Sequence, residues 1–268
     1  MKIAKGVLAA FVAVTSLALV AACSGKDKPG AGASAGAPAG AASPAPAKSL
    51  GATERLSAAA SKTGGGTYTY KTISNDITID GAADPAGPTS VGKLVVAVES
   101  TKVTFETLFT SGNYLVRITG LPLPGLDGKK WLKVDPSKVK NSDMISAADV
   151  KDPTGLSVLP TLVTQATTTD GRSFTGTLDV TKESFALVDK DALKGLGDLA
   201  KAVPFTATVD DKGYLTSVKV SVPAYSGTKA DNVTITYTGF GAPVLAPTPA
   251  ASEMIDAPES AYSLLNGA

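Results

Sequence analysis

Between about residues 67 and 240, apolar and polar side chains alternate with a period of two. A helix repeats every 3.6 residues and cannot hold that pattern, so these runs predict strands with one buried and one wet face. Tyr68 and Tyr70 share a face, and Ile77 and Ile79 follow. Leu94, Val96 and Val98 alternate with Val95 and Ala97. Val103 and Phe105 begin the next run; Tyr114, Val116 and Ile118 alternate with Leu115 and Arg117. Leu132 and Val134 flank Lys133, and Phe174, Leu178 and Val180 stand opposite Thr175, Thr177 and Asp179. Phe205, Ala207 and Val209 lead into Asp210-Asp211-Lys212-Gly213, a hairpin signal. Val218, Val220 and Val222 continue after it, then Val233, Ile235 and Tyr237. Threonines crowd the opposite face, as strand surfaces prefer. Clean alternation of this kind belongs to antiparallel sheets.

Three segments read as helix. Leu50 to Lys62 puts Ala52, Leu56, Ala59 and Ala60 on one side and stops at Gly64-Gly65-Gly66. Thr154 to Gln165 carries Leu156, Leu159, Leu162 and Val163 but contains Pro160, which must kink or shorten it. Asp189 to Ala202 carries Leu193, Leu196 and Leu199, interrupted by Gly195 and Gly197. One long sheet with a few helices is an α+β arrangement. Pro85 and Pro88, between Gly81 and Gly92, leave the strand count there open.

Composition removes much chemistry. With no His there is no imidazole catalysis or imidazole metal site, and with one Cys there is no intrachain disulfide or thiolate cluster. Twenty-five Lys and Arg against 24 Asp and Glu give no basic surface for nucleic acid. Asp210-Asp211 is the one acidic pair, but it sits in a turn. Asp127, Asp149 and Asp152 also stand in loop-like contexts, and Asp76, Asp80 and Asp84 are spaced along a strand rather than in a calcium loop. There is no phosphate-binding glycine motif following a strand. The expectation is a protein that is not an enzyme and uses no cofactor or metal.

Residues 1–22 read as an export signal: Lys2 and Lys5, an uncharged run from Gly6 to Ala22, then small residues. Val20-Ala21-Ala22-Cys23 resembles the lipobox of bacterial lipoproteins, with Val20 where Leu is usual. That resemblance implies cleavage before Cys23, a diacylglyceryl group on its sulfur and attachment to the extracytoplasmic face of the cell membrane. Acyl burial contributes about 0.8 kcal/mol per CH₂, and two chains hold stably. Cleavage leaves 23 basic against 24 acidic side chains. Residues 24–48 are nearly all Gly, Ala, Ser and Pro, too poor in large apolar groups to offset ordering entropy. They predict a tether of roughly 25–30 Å mean span. Residues 49–268 form the folded domain.

Ordered motifs within that domain resemble the LppX/LprAFG-type envelope lipoproteins. Lys130-Trp131-Leu132-Lys133-Val134-Asp135-Pro136-Ser137 is similar to that family's Trp-containing strand and turn. Val203-Pro204-Phe205 through Gly213-Tyr214-Leu215 is similar to its hairpin, and Tyr237-Thr238-Gly239-Phe240-Gly241-Ala242-Pro243-Val244 to its closing strand. The resemblance implies a LolA-like half-barrel, a curved antiparallel sheet with helices on its concave face. It also implies a hydrophobic cavity that carries acylated lipid or glycolipid, with a membrane exporter as a further partner.

Leu94, Val96, Val98, Phe105, Val116, Ile118, Leu159, Leu162, Val163, Phe174 and Leu178 are the candidate cavity lining. A filled core needs the same residue types, so the alternative is a non-catalytic interaction or sensing module. Trp131 opposes Leu132 and Val134, which points it to the outer face or a core cap. The leucines of Gly120-Leu121-Pro122-Leu123-Pro124-Gly125-Leu126 are either tucked under the sheet edge or form an exposed lip.

Overall fold

The structure, a computed structural model, describes residues 50–75, 77–98, 101–121, 126–139, 151–182, 190–225 and 227–266. The export segment, Cys23, the tether, Asp76, Leu123, Asp149 and Asp189 lie outside the described residues, as do the side chains of residues 97–98 and 190–192.

Twelve strands form a single curved, unclosed sheet among the described residues. Two antiparallel meanders build it. The first runs β1 (Tyr68–Ile73), β2 (Ile77–Asp84), β3 (Thr89–Val98), β4 (Thr101–Thr110), β5 (Asn113–Thr119) and β6 (Trp131–Lys133). The second runs β7 (Val163–Thr168), β8 (Ser173–Leu178), β9 (Val203–Val209), β10 (Leu215–Val222) and β11 (Asp231–Thr238). The last strand of the second pairs with the first strand of the first, Tyr70 opposite Tyr237, which fuses the two into one surface. β12 (Met254–Asp256) adds a short parallel strand beyond β6.

The register gives the sheet two chemically different faces. Thr72, Ile79, Leu94, Phe105 and Ile118 stand in one rung on the inner face. Val220, Val233 and Phe205 share that face in the other half. The outer face of the second meander is threonine-rich. Thr69–Thr238, Thr164–Thr177 and Thr208–Thr216 pair across strands at 2.8, 2.8 and 2.9 Å, contacts that stabilise adjacent strands while facing water.

Helices cover the inner face in two places. α1 (Ala52–Gly64) starts with Glu54 accepting from the Gly51 amide at 2.9 Å, and it buries Leu56, Ala59 and Ala60 as the spacing predicts. Its last turn is tied to β10, where Thr63 Oγ1 accepts from the Leu215 amide at 2.9 Å. α4 (Glu259–Leu265) buries Ala261, Tyr262 and Leu265 against the other end of the sheet.

Several expectations change. The Thr154–Gln165 helix shrinks to α2 (Leu159–Leu162), and Val163 opens β7 instead. Pro160 lacks an amide hydrogen and fits only the first helical turn, while β-branched Val163 and Thr164 favour the strand. The later helix is α3 (Lys190–Leu196), followed by a 3₁₀ turn over Gly197–Lys201. Gly197 breaks it with φ +53°. The Gly81 to Gly92 stretch is an ordinary hairpin, β2 pairing β3 from Ile77·Val96 to Asp84·Thr89.

Candidate ligand-binding face

Strand register settles which candidate residues come together. Leu94, Val96, Phe105, Val116, Ile118, Phe174 and Leu178 all occupy the inner face. Val98 pairs with Thr101 at a strand end, and its side chain lies outside the described residues.

They do not line one space. Leu159, Leu162, Phe174 and Leu178 are at most 1% exposed and belong to the core beneath α1, with Val163 packed against it. A side chain with no accessible surface touches no void that admits water, so these four stand in close packing. Phe105, Val116 and Ile118 belong to a second core, with Ala261, Tyr262 and Leu265 of α4 in the same cluster. Tyr262 Oη accepts from the Asp135 amide at 2.9 Å, which holds that helix to the end of β6.

Between the two cores lies a seam on β2 and β3. Its rungs are Ile77·Val96, Ile79·Leu94, Gly81·Gly92 and Ala83·Ser90. Ile77, Ile79 and Leu94 are half-buried, and Val96 is 7% exposed. The side chains thus diminish along the seam from branched aliphatics to the Gly81·Gly92 rung, with small Ala83 and Ser90 beyond it. The glycines make room for Tyr70, which pairs with Gly81 and lays its ring across it. A Cβ on Gly81 would fall 2.4 Å from Tyr70 Cζ.

Tyr70 belongs to a buried phenol group. The rings of Tyr68 and Tyr70 are 6.2 Å apart and those of Tyr68 and Tyr237 5.8 Å. Tyr68 Oη is buried without a hydrogen-bond partner among the described residues. Burial pushes all three phenols well above their ordinary range, and the Asp152 carboxylate adds to this at Tyr68. They are neutral at physiological pH, so the inner face presents apolar side chains and uncharged hydroxyls.

The acidic residues weighed as catalysts or calcium ligands serve local structure. Asp210 Oδ1 accepts from the Lys212 and Tyr214 amides at 2.9 and 2.8 Å, with Gly213 at φ +81° completing the turn. Asp211 pairs with Arg172 at 2.5 Å. Asp127 accepts from the Lys129 amide at 2.8 Å, which holds its carboxyl below the usual range. Asp152 caps a turn through the amides of Leu156 and Ser157 at 2.8 and 2.7 Å. Asp80 pairs with Lys71 at 3.1 Å, and Asp84 accepts from the amides of Ala86 and Gly87. No cluster of three or more metal-ligating side chains occurs among the described residues.

Trp131 lies on the outer face, buried with Leu108 and Leu115. Leu121 and Leu126 are tucked against the second core. Ile77, Ile79 and Tyr70 were not among the candidate lining residues. Alternation shows that they share a face with their neighbours, but only the pairing across β1–β2–β3 places Ile77 and Ile79 beside Val96 and Leu94, and Tyr70 beside Gly81 and Gly92.

Comparison with known proteins finds no matching family model and no matching curated protein. No helix among the described residues is long and apolar enough to cross a membrane.

Proposed function

We propose that this chain is a lipoprotein, anchored through Cys23 to the extracytoplasmic face of the cell membrane, that binds and shuttles an acylated lipid or glycolipid. The observation that carries the reading is the apolar seam of half-buried Ile77, Ile79 and Leu94, with buried Val96 beside them, between two packed cores. An acyl chain laid on it would remove that surface from water at roughly 25 cal/mol per Å². The neutral phenol of Tyr70 stands at the small-residue end of the seam, where an ester or glycosidic oxygen would emerge. The lipobox-like tetrapeptide and the Gly/Ala/Pro run after it support anchoring on a flexible leash. Binding by burial needs no catalysis or cofactor, and delivery would go to the membrane or to a membrane exporter.

A second reading, an envelope interaction or sensing module with a filled core, is favoured by the close packing of Leu159, Leu162, Phe174 and Leu178. Mass spectrometry of lipid extracted from the chain purified out of its own envelope separates the two. Stoichiometric lipid that is lost in Leu94→Trp, with circular dichroism unchanged, supports the carrier. Absence of lipid from the parent chain, or equal loading of the variant, refutes it.

A further inference from the structure

The outer face of the first meander carries a row of alternating charge. Lys71, Asp80, Lys93, Glu106 and Arg117 are successive cross-strand partners on β1 to β5. Lys71 pairs with Asp80 at 3.1 Å and Arg117 with Glu106 at 2.7 Å. The Arg117 guanidinium also lies over the Trp131 ring at 4.8 Å. Lys93, exposed between two carboxylates, makes no ion pair or hydrogen bond among the described residues.

The chain returns across this row after β11. Residues 242–253 run over the outer face toward β12, with Ala246 packed against the cluster of Leu108, Leu115 and Trp131. Between this strap and the row lies a groove of about 500 Å³. Its floor is Asp80, Lys93, Glu106 and Arg117, and its apolar wall is Leu245, Pro247 and Pro249. Leu245 is 89% exposed, a large aliphatic side chain held out at the rim.

We propose that this groove binds a short, uncharged pyranose oligosaccharide. The volume lies within the roughly 300–1,000 Å³ of small-molecule sites. An anion placed there would meet the carboxylates of Asp80, Glu106 and Glu253, and a cation would meet Lys93 and Arg117. A neutral ligand rich in hydroxyls avoids both repulsions. Each hydroxyl donates to a carboxylate oxygen and accepts from an ammonium or guanidinium, and such charge-assisted bonds are the stronger kind. The C–H faces of pyranose rings match the apolar edge formed by the two prolines and Leu245. The site faces away from the seam and does not depend on the lipid reading.

Trp131 supplies a local signal, since it is the only tryptophan in the chain and borders the groove. Its emission is followed while the full chain is titrated with maltotriose or mannotriose up to about 20 mM, a range that covers weak millimolar binding. At least one of the two is expected to give a saturable change. Lys93→Gln and Leu245→Ser should each weaken it about fivefold or more, Lys93→Arg should retain it, and circular dichroism should be unchanged in all three. Three results would overturn the proposal: no saturable response by emission or saturation-transfer NMR with either sugar; affinity unmoved by both Lys93→Gln and Leu245→Ser; or glucose 6-phosphate binding more tightly than the neutral trisaccharides.

Discussion

Adding one methyl group at Gly81 tests the packing of the seam. The new Cβ would sit 2.4 Å from Tyr70 Cζ, 2.5 Å from Oη and 2.7 Å from Cε1, where ordinary contact begins at 3.4 Å. The ring must therefore retreat by about 1 Å. Tyr70 is 8% exposed and rigid beyond χ2, so it cannot yield by bending its tip. Overpacking of this kind costs about 1–3 kcal/mol, against a gain of about 0.5–1 kcal/mol from replacing glycine inside a strand. In a Tyr70→Val background the ring is gone and only the gain remains. Gly81→Ala should then be neutral or stabilising, which makes the coupling between the two sites about 1–3 kcal/mol. Urea unfolding of the four proteins, followed by circular dichroism and by Trp131 emission, measures it. If Gly81→Ala has the same effect in both backgrounds, within about 0.5 kcal/mol, the ring does not lie over Gly81 and the seam is wrongly drawn.

Other outcomes follow from the same geometry. Leu162→Ala empties a fully buried position and should lower unfolding free energy by about 2–5 kcal/mol, whereas Leu245→Ser should stay within about 0.5 kcal/mol in the same denaturant assay. Tyr262→Phe removes the acceptor for the Asp135 amide and should cost about 0.5–1.5 kcal/mol. It should also raise binding of a hydrophobic dye as α4 loosens. Asp170 accepts from the amides of Ser173 and Arg172 and from two hydroxyls, which hold its carboxyl far below the usual range. A depressed carboxyl adds stability above its unfolded pKa of about 3.9 that is lost as pH falls through the folded one, so Asp170→Asn should flatten the acid limb of a stability–pH curve. At the alkaline end the phenols of Tyr68, Tyr70 and Tyr237 hold their protons more tightly when folded, so stability should fall as pH rises above about 10. With no His in the chain, the curve should be level between about pH 5 and 8.

The parts of the fold legible in the sequence were those governed by local pattern. The strands before and after Asp210–Gly213 and the buried side of α1 obey a period, and the period needs no partner to be recognised. β12 and α4 leave no such trace in the sequence, for the opposite reason. Three and seven residues long, they are too short to show periodicity. They exist because β6 offers an unpaired edge and the second core an uncovered face. The α2–β7 junction is ambiguous in sequence because Leu156, Leu159, Leu162 and Val163 suit a helix by spacing, while Pro160 and the following β-branched residues suit a strand once β8 is there to pair.

The candidate face divides in the same way. Alternation alone placed Leu94, Val96, Phe105, Val116 and Ile118 on one side of a sheet, because successive side chains must point to opposite faces. It could not say that two of them border a half-buried seam and three lie in the core covered by α4. Nor could it place Lys93 between Asp80 and Glu106 or lay residues 242–253 over them. Period and composition act within one strand and were set by the order of residues. Register joins neighbouring strands, and the covering helices and the strap join residues more than a hundred positions apart, contacts that only the folded chain makes.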